Sequence, residues 1–257
     1  LGRVGASVAA FMNLYLPHLH RSGHVAPSKP ASHGIESPGG YVMDSVPGLY
    51  KHVLVLDFKS LYPSIIQTFL IDPKGLILSQ QGASDSVPGY LGANFSRDKP
   101  ILPQLIRHLS EQREQAKQNS NAPLSQAIKI IMNSLYGVLG SQGCVFHDAK
   151  LASSITMRGH EIMKQTRRWI EEAGFEVIYG DTDSTFVWLG NDFDEHKVQQ
   201  TAKELAATVN RRWQQRLIDD FELESFLELE FETHFEQFFM PTLRGSTEGS
   251  KKCYVGT

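Results

Sequence analysis

Residues 177–188, VIYGDTDSTFVW, limit the possible folds of this chain more tightly than any other stretch. Val177, Ile178 and Tyr179 precede a turn carrying Asp181 and Asp183, and Phe186, Val187 and Trp188 follow it. Both flanks are β-branched or aromatic, so they predict two strands of a largely buried hairpin. Taken alone, the turn has an ordinary reading, because Gly-Asp is a common turn dipeptide in which Asp bonds its own backbone. Two carboxylates at the junction of buried strands also repel each other and lose hydration, a cost that a metal ion or cationic partner offsets. Only the rest of the chain can decide between these readings.

The chain has 257 residues, enough for a substantial core in one large domain or two smaller ones. A net charge of −3 gives no global signature of nucleic-acid binding, so any such function must rest on local clusters. The two cysteines, Cys144 and Cys253, show no CxxC spacing. This argues against a disulfide framework and a zinc site, and the expected compartment is the reducing cytoplasm. No stretch approaches the roughly 18 to 20 apolar residues of a membrane span. The histidines are scattered, and none forms HxxxH with an intervening Glu. The chain opens without Met, so a piece of a longer protein is expected.

The first 20 residues read as an amphipathic helix, and residues 21–50, rich in Pro, Gly and Ser, as loop or short strand. HVLVLDF (52–58) is an apolar run ending in Asp57, followed by a helical SLYPSIIQTFL. Residues 80–100 read as loop. Two helices, 101–118 and 123–138, joined by NSNA, make a helical hairpin. A helix over 149–173, the acidic hairpin, a helix over 194–217 and an alternating strand over 226–235 complete the pattern. The fold class is α+β, with mainly antiparallel strands, packed helices and a projecting hairpin over 101–138.

If Asp57, Asp181 and Asp183 belong to one sheet, three carboxylates converge at its edge as a hard-oxygen site for a divalent cation, Mg²⁺ by default beside phosphates. Asp57 alone is equally well read as a helix cap. In the second hairpin helix Lys129, Asn133 and Tyr136 share one face, and Leu124, Ala127, Ile131, Leu135 and Val138 the other. In the first, the stripe Leu102, Ile106, Leu109 continues into Arg113 and Lys117. Three cations at similar height fit a polyphosphate clamp as well as a solvated face. No GxxxxGK[ST] or GxGxxG occurs. Near the end, Lys251 and Lys252 with Tyr254 form a small basic patch, a candidate contact to a nucleic-acid backbone.

Three motifs in order give a resemblance to family B DNA polymerases: DFKSLYPSII (57–66), KIIMNSLYG (129–137) and YGDTDS (179–184) resemble motifs A, B and C of that family. Longer runs, among them PLSQAIKIIMNSLYGVLG and LASSITMRGHEIM, are similar to its bacterial members, and the resemblance covers nearly the whole chain. It implies template-directed DNA synthesis, in replication or repair, from deoxynucleoside triphosphates on primer-template DNA. It implies two Mg²⁺ ions, with Mn²⁺ as a substitute, bridged by Asp57 and Asp183, with Asp181 assisting and the Phe58 carbonyl as a candidate ligand. Arg113, Lys117, Lys129 and Asn133 match residues that hold the triphosphate, Tyr62 the residue under its sugar, and Tyr136 and Gly137 the surface against the nascent base pair. Lys251 and Tyr254, beside Lys252, match the element gripping the primer end.

By the same resemblance, 1–100 and 139–257 are palm and 101–138 fingers, with exonuclease and thumb domains outside this chain. A sliding clamp, met through regions not in this chain, is a candidate partner, and a nucleoid-associated place in the bacterial cytoplasm is expected. Cys253 stands where the family more often has a basic residue, SPGG lacks the Tyr of the usual YxGG, and Glu230 falls at a further palm acid whose role is open. Two rival readings are a non-catalytic polymerase-like nucleic-acid-binding module and a DxD transferase acting on a nucleotide sugar. The first would be favoured by loss of Asp57 or Asp183, both present here; the second leaves the cationic hairpin unexplained.

Overall fold

The computed structural model describes residues 4–28 and 37–257; the first three residues of the expected first helix and residues 29–36 of the Pro/Gly/Ser-rich stretch lie outside these. In chain order the elements are α1 (Val4–Arg21), β1 (Gly48–Phe58), α2 (Leu61–Thr68), α3 (Pro73–Gln80), β2 (Ser86–Pro88) and β3 (Asn94–Ser96). They continue with α4 (Leu102–Gln118), α5 (Ala122–Leu139), α6 (Ala149–Glu172), β4 (Glu176–Asp181) and β5 (Ser184–Trp188). A 3₁₀ turn (Glu195–Lys197) then leads into α7 (Val198–Phe221), β6 (Leu229–Met240) and β7 (Val255–Gly256). Helices with antiparallel sheet bear out the α+β class. Two compact units form, Leu1–Pro38 with Tyr62–Arg158 and Gly39–Leu61 with Gly159–Thr257. No helix among the described residues is long and apolar enough to cross a membrane.

The second unit holds a five-stranded sheet in the order β4-β5-β1-β6-β7. Val53, Leu54, Val55 and Leu56 of β1 are all buried, so this strand is covered on both faces, which is why it reads as a continuous apolar run. One face packs Tyr50, Val53 and Val55 with Ile178, Tyr179, Phe186 and Phe238. Trp213 of α7 stacks edge-on with Trp169 of α6, and its indole N–H donates to Thr166 at 3.0 Å. Asn210 of α7 fixes the start of β6, donating to the Leu229 carbonyl at 3.0 Å and accepting from the Leu229 N–H at 2.8 Å. That bond pair sets the end of β6 that runs beside Asp57.

In the first unit, α1 buries Phe11, Tyr15 and Leu19, spaced four apart along one face. The α4–α5 hairpin forms as the sequence predicts. Asn121 caps α5, accepting from the Leu124 N–H at 3.2 Å, and Ser120 takes a left-handed conformation at the bend. The packed stripe of α5 differs from the expected one: Ile128, Met132, Leu135, Val138 and Leu139 are buried, whereas Leu124 is exposed near the bend. Ile128, Ile130, Ile131 and Met132 are apolar around most of a turn, so periodicity alone could not select the packing face. Residues 80–100 are not all loop, because β2 and β3 pair within them. Strands of three residues beside Pro88, Gly89 and Gly92 are too short to show alternation.

The sequence reading also missed α3 and the residue that anchors it. Asp72 is fully buried and caps α3, accepting from the Gly75 N–H at 3.2 Å. The same carboxylate accepts from the Tyr15 hydroxyl at 2.7 Å and from the N–H groups of Ile101 and Leu102, both at 3.2 Å, at the start of α4. One side chain therefore satisfies donors from two helix N-termini and ties both to α1.

Candidate active site

Pairing of β1 with β5 settles whether Asp57 and the acidic turn share a sheet. Asp57 stands across from Ser184 on β5 and from Glu230 on β6. The Phe58 N–H donates to the Asp183 carbonyl at 2.9 Å, so the backbone joins the two acidic segments directly. Between β1 and β6 the register slips by one, Val55 facing Thr233 and Leu56 facing Phe231. This bulge sets Glu230, rather than Phe231, across from Asp57. Lys59 reaches Glu230 and Glu228 at 3.7 and 3.8 Å, and Glu230 is thereby a partner of Lys59.

The turn itself is tightly held. Thr182 has a φ of 52°, unusual for a β-branched residue, and its N–H donates to the Tyr41 carbonyl at 2.6 Å. Gly40 passes so close that a Cβ there would lie 2.7 Å from the Thr182 hydroxyl. Gly40, the second glycine of SPGG, thus packs against the acidic turn, with or without the expected Tyr, whereas a Cβ at Gly39 would meet nothing. Residues 41–46 run along β4, the N–H groups of Met43 and Val46 donating to Gly180 and Ile178, both at 2.9 Å.

Asp181 and Asp183 have different surroundings. Asp181 accepts from Thr182 Oγ1 at 3.0 Å and Tyr179 Oη at 3.4 Å, and pairs with Lys252 Nζ at 3.4 Å. Burial pushes the Asp183 carboxyl up; a bond from its own backbone N–H opposes this, and the charges of Asp181 and Glu232 push it up further. A cation would relieve that strain. Carboxylate oxygens are hard donors suited to a divalent ion of the magnesium class. Among the described residues no three His, Cys, Asp or Glu side chains close around one ion.

The basic patch at the chain's end lies against this turn. The Lys252 N–H donates to Tyr179 Oη at 3.0 Å, and Lys251 pairs with Asp44 at 3.3 Å. Tyr254, partly exposed, packs against Phe186 and Phe238 with ring centroids at 5.1 and 5.2 Å. The pairing of Lys252 with Asp181 had no signal in sequence, since 71 residues separate them.

In the other unit, Ser110 Oγ contacts Met132 Sδ at 3.6 Å and fixes the register of α4 against α5. One turn further along each antiparallel helix come Arg113 and Lys129, at matching height. Lys129 and Asn133 are exposed. Lys117 pairs with Glu114 at 2.7 Å. Arg113 is half-buried, and its Nε is shut from solvent without a hydrogen-bond partner. Tyr136 donates to the Pro38 carbonyl at 3.4 Å and lies 5.1 Å, centroid to centroid, from Tyr62. Gly137 is exposed, with open space where a Cβ would stand.

Comparison with known proteins places these features in a family. Residues 5–256 match the model of DNA polymerase family B. The chain is 55% identical to DNA polymerase II of Escherichia coli (strain K12), over 99% of this chain and 33% of that protein. It is 32% identical to a DNA polymerase of Thermococcus gorgonarius, over 87% of this chain and 30% of the relative. The solved structure of the family B DNA polymerase from the hyperthermophilic archaeon Pyrobaculum calidifontis superposes with a TM-score of 0.60 at 25% identity, over 94% of this chain and 30% of that one. The chain thus spans about a third of the length of these two relatives. With Asp57 and the acidic turn on one sheet and the match running nearly end to end, this chain belongs to DNA polymerase family B.

Proposed function

We propose that the polypeptide carrying this chain is a template-directed DNA polymerase, which adds deoxynucleotides to a primer 3′-hydroxyl and releases pyrophosphate. The observation that carries this reading is the β1–β5 register, which sets Asp57 beside the turn bearing Asp183. In this reading the sheet belongs to the palm and α4–α5 to the fingers, and the polypeptide works in replication or repair in the bacterial cytoplasm, near the nucleoid. A sliding clamp is a candidate partner.

Asp57 and Asp183, with the Phe58 carbonyl, would hold two Mg²⁺ ions, or Mn²⁺ in their place, which supply a lowered pKa for the 3′-hydroxyl and stabilise the departing pyrophosphate. Asp181, held by Thr182, Tyr179 and Lys252, supports Asp183 from the neighbouring position. Arg113, Lys117, Lys129 and Asn133 bind the phosphates of the incoming nucleotide through charge-assisted bonds. Lys117 exchanges Glu114 for phosphate, and the partnerless Nε of Arg113 gains an acceptor. Tyr62 lies under the sugar and excludes a 2′-hydroxyl, and its neighbour Tyr136, with Gly137, bounds the nascent base pair. Lys251, Lys252 and Tyr254 hold the primer end. The protein's share of catalysis is thus positioning and preorganised charge.

Primer extension by the full-length polypeptide tests this. Asp183→Asn should abolish extension while leaving primer-template affinity nearly unchanged. Extension at the wild-type rate by that variant would refute the assignment.

A further inference from the structure

The helical unit holds a second gathering of like charge that the polymerase reading does not use. A groove of about 800 Å³ opens there, lined from the end of α1, from α3, from the segment before α4 and from α4 itself. It gathers the cations Arg21, Lys74 and Lys99 and the imidazoles of His18, His24 and His108, against one carboxylate, Asp98. All of these residues belong to the same compact unit.

Lys74 is the built part of the groove. It is only 7% exposed, and its backbone N–H donates to the Tyr15 hydroxyl at 3.1 Å, so the buried Asp72 cluster anchors it. Its Nζ donates to the Lys99 carbonyl at 3.0 Å. An ammonium carries three donors. Among the described residues no second acceptor and no carboxylate pairs with Lys74, and none pairs with Arg21 or Lys99. Asp72, two residues away, is already filled by Tyr15, Gly75, Ile101 and Leu102. A lysine only 7% exposed that lines a groove with two more cations calls for an anion with several acceptor oxygens. The α4 N-terminus is not the source of the field, since Asp72 takes its first N–H groups. The concave surface concentrates the side-chain charge.

We propose that this groove is a phosphate-binding site, built from residues other than those of the acidic edge, which takes the phosphates of a single nucleic-acid strand or of a free polyphosphate. Arg21 offers its planar fork, Lys74 and Lys99 their ammonium donors, and the imidazoles further N–H donors. The site does not rest on the polymerase reading, because nothing in it requires Asp57 or Asp183.

Diethyl pyrocarbonate footprinting of the full-length polypeptide, read by mass spectrometry at His18, His24 and His108, tests the site locally, with the exposed His196 as control. Two probes are used, sodium tripolyphosphate and single-stranded oligothymidylate. Either should slow modification of His24 and His108 and leave His196 unchanged. Protection by tripolyphosphate as well as by the oligonucleotide assigns free polyphosphate as a ligand; protection by the oligonucleotide alone assigns the phosphodiester backbone. Arg21→Ala combined with Lys99→Ala, both on the surface, should raise the concentration needed for half-protection about tenfold or more. Lys74→Gln, which keeps a donor for the Lys99 carbonyl but removes the charge, should act the same way. Asp183→Asn should leave protection intact, so failure of this site and failure of the polymerase reading give different results. No protection by either probe, or equal protection in wild type and the double variant, overturns the proposal.

Discussion

Asp72 and Asp183 are both carboxylates that burial pushes above the usual range, yet the two units treat them in opposite ways. Around Asp72, four donors from the protein converge, and their bonds oppose the effect of burial. Around Asp183, the one opposing bond comes from its own backbone N–H, and the charged neighbours, Asp181 and Glu232, raise it further. A buried carboxylate whose acceptors are filled by the fold is a structural pin. One whose neighbours are acids is a place where a cation would offset the repulsion. Asp72 is fully buried and Asp183 only half-buried, and the sign of their surroundings differs as well.

Substitutions break this comparison in order of size. Asp57→Asn, on the acidic edge, should cut primer extension about a thousandfold or more, the scale seen when a preorganised transition-state contact is removed, with little change in unfolding midpoint. The second largest effect belongs to Asp72→Ala. It strands four buried donors and should cost about 3 to 5 kcal/mol in denaturant unfolding.

The pH dependence of Asp72 sharpens the contrast. Its raised pKa means that its contribution is full below the ordinary carboxylate value, near pH 4, and is lost as pH rises through the raised value. The stability advantage of wild type over Asp72→Asn should therefore shrink as pH rises toward neutrality. An advantage that grows instead would contradict the assignment.

Lys129→Ala, on the exposed face of α5, should raise KM for deoxynucleotides about tenfold or more, the size of one lost charge-assisted bond, with primer-template affinity unchanged. The smallest effect concerns His234, whose ring lies 3.2 Å, nitrogen to nitrogen, from His52. Burial lowers its pKa, the charge of His52 lowers it further, and Glu236 and Glu195 oppose this. Its contribution is present above about pH 6.5 and lost as pH falls. His234→Gln should flatten the decline of the unfolding midpoint between pH 7.5 and 5.5.

What could be read from the sequence follows the length over which each pattern repeats. The acidic hairpin, β1 and the α4–α5 pair were legible because their apolar runs persist for a full element. The fine choice of packing face on α5 was not, since Ile130 and Ile131 compete with Ile128 and packing alone selects between them. Helix α3 had a readable start in Asp72-Pro73, a cap followed by Pro in the first turn. Its interior, with Lys74 and Gly75 buried beside Leu76, shows no amphipathic stripe. The adjacency of Asp57 to Asp183 was conditional on a shared sheet and is set by strand register. Glu230 across from Asp57 depends on a one-residue bulge that no local pattern announces.

Manganese titration followed by electron paramagnetic resonance tests the central claim most directly, with the full-length polypeptide, primer-template DNA and a non-hydrolysable deoxynucleotide. Wild type and Asp72→Asn should bind the ion alike, and Asp183→Asn should lose at least one bound ion. Equal manganese binding by wild type and Asp183→Asn would contradict the account.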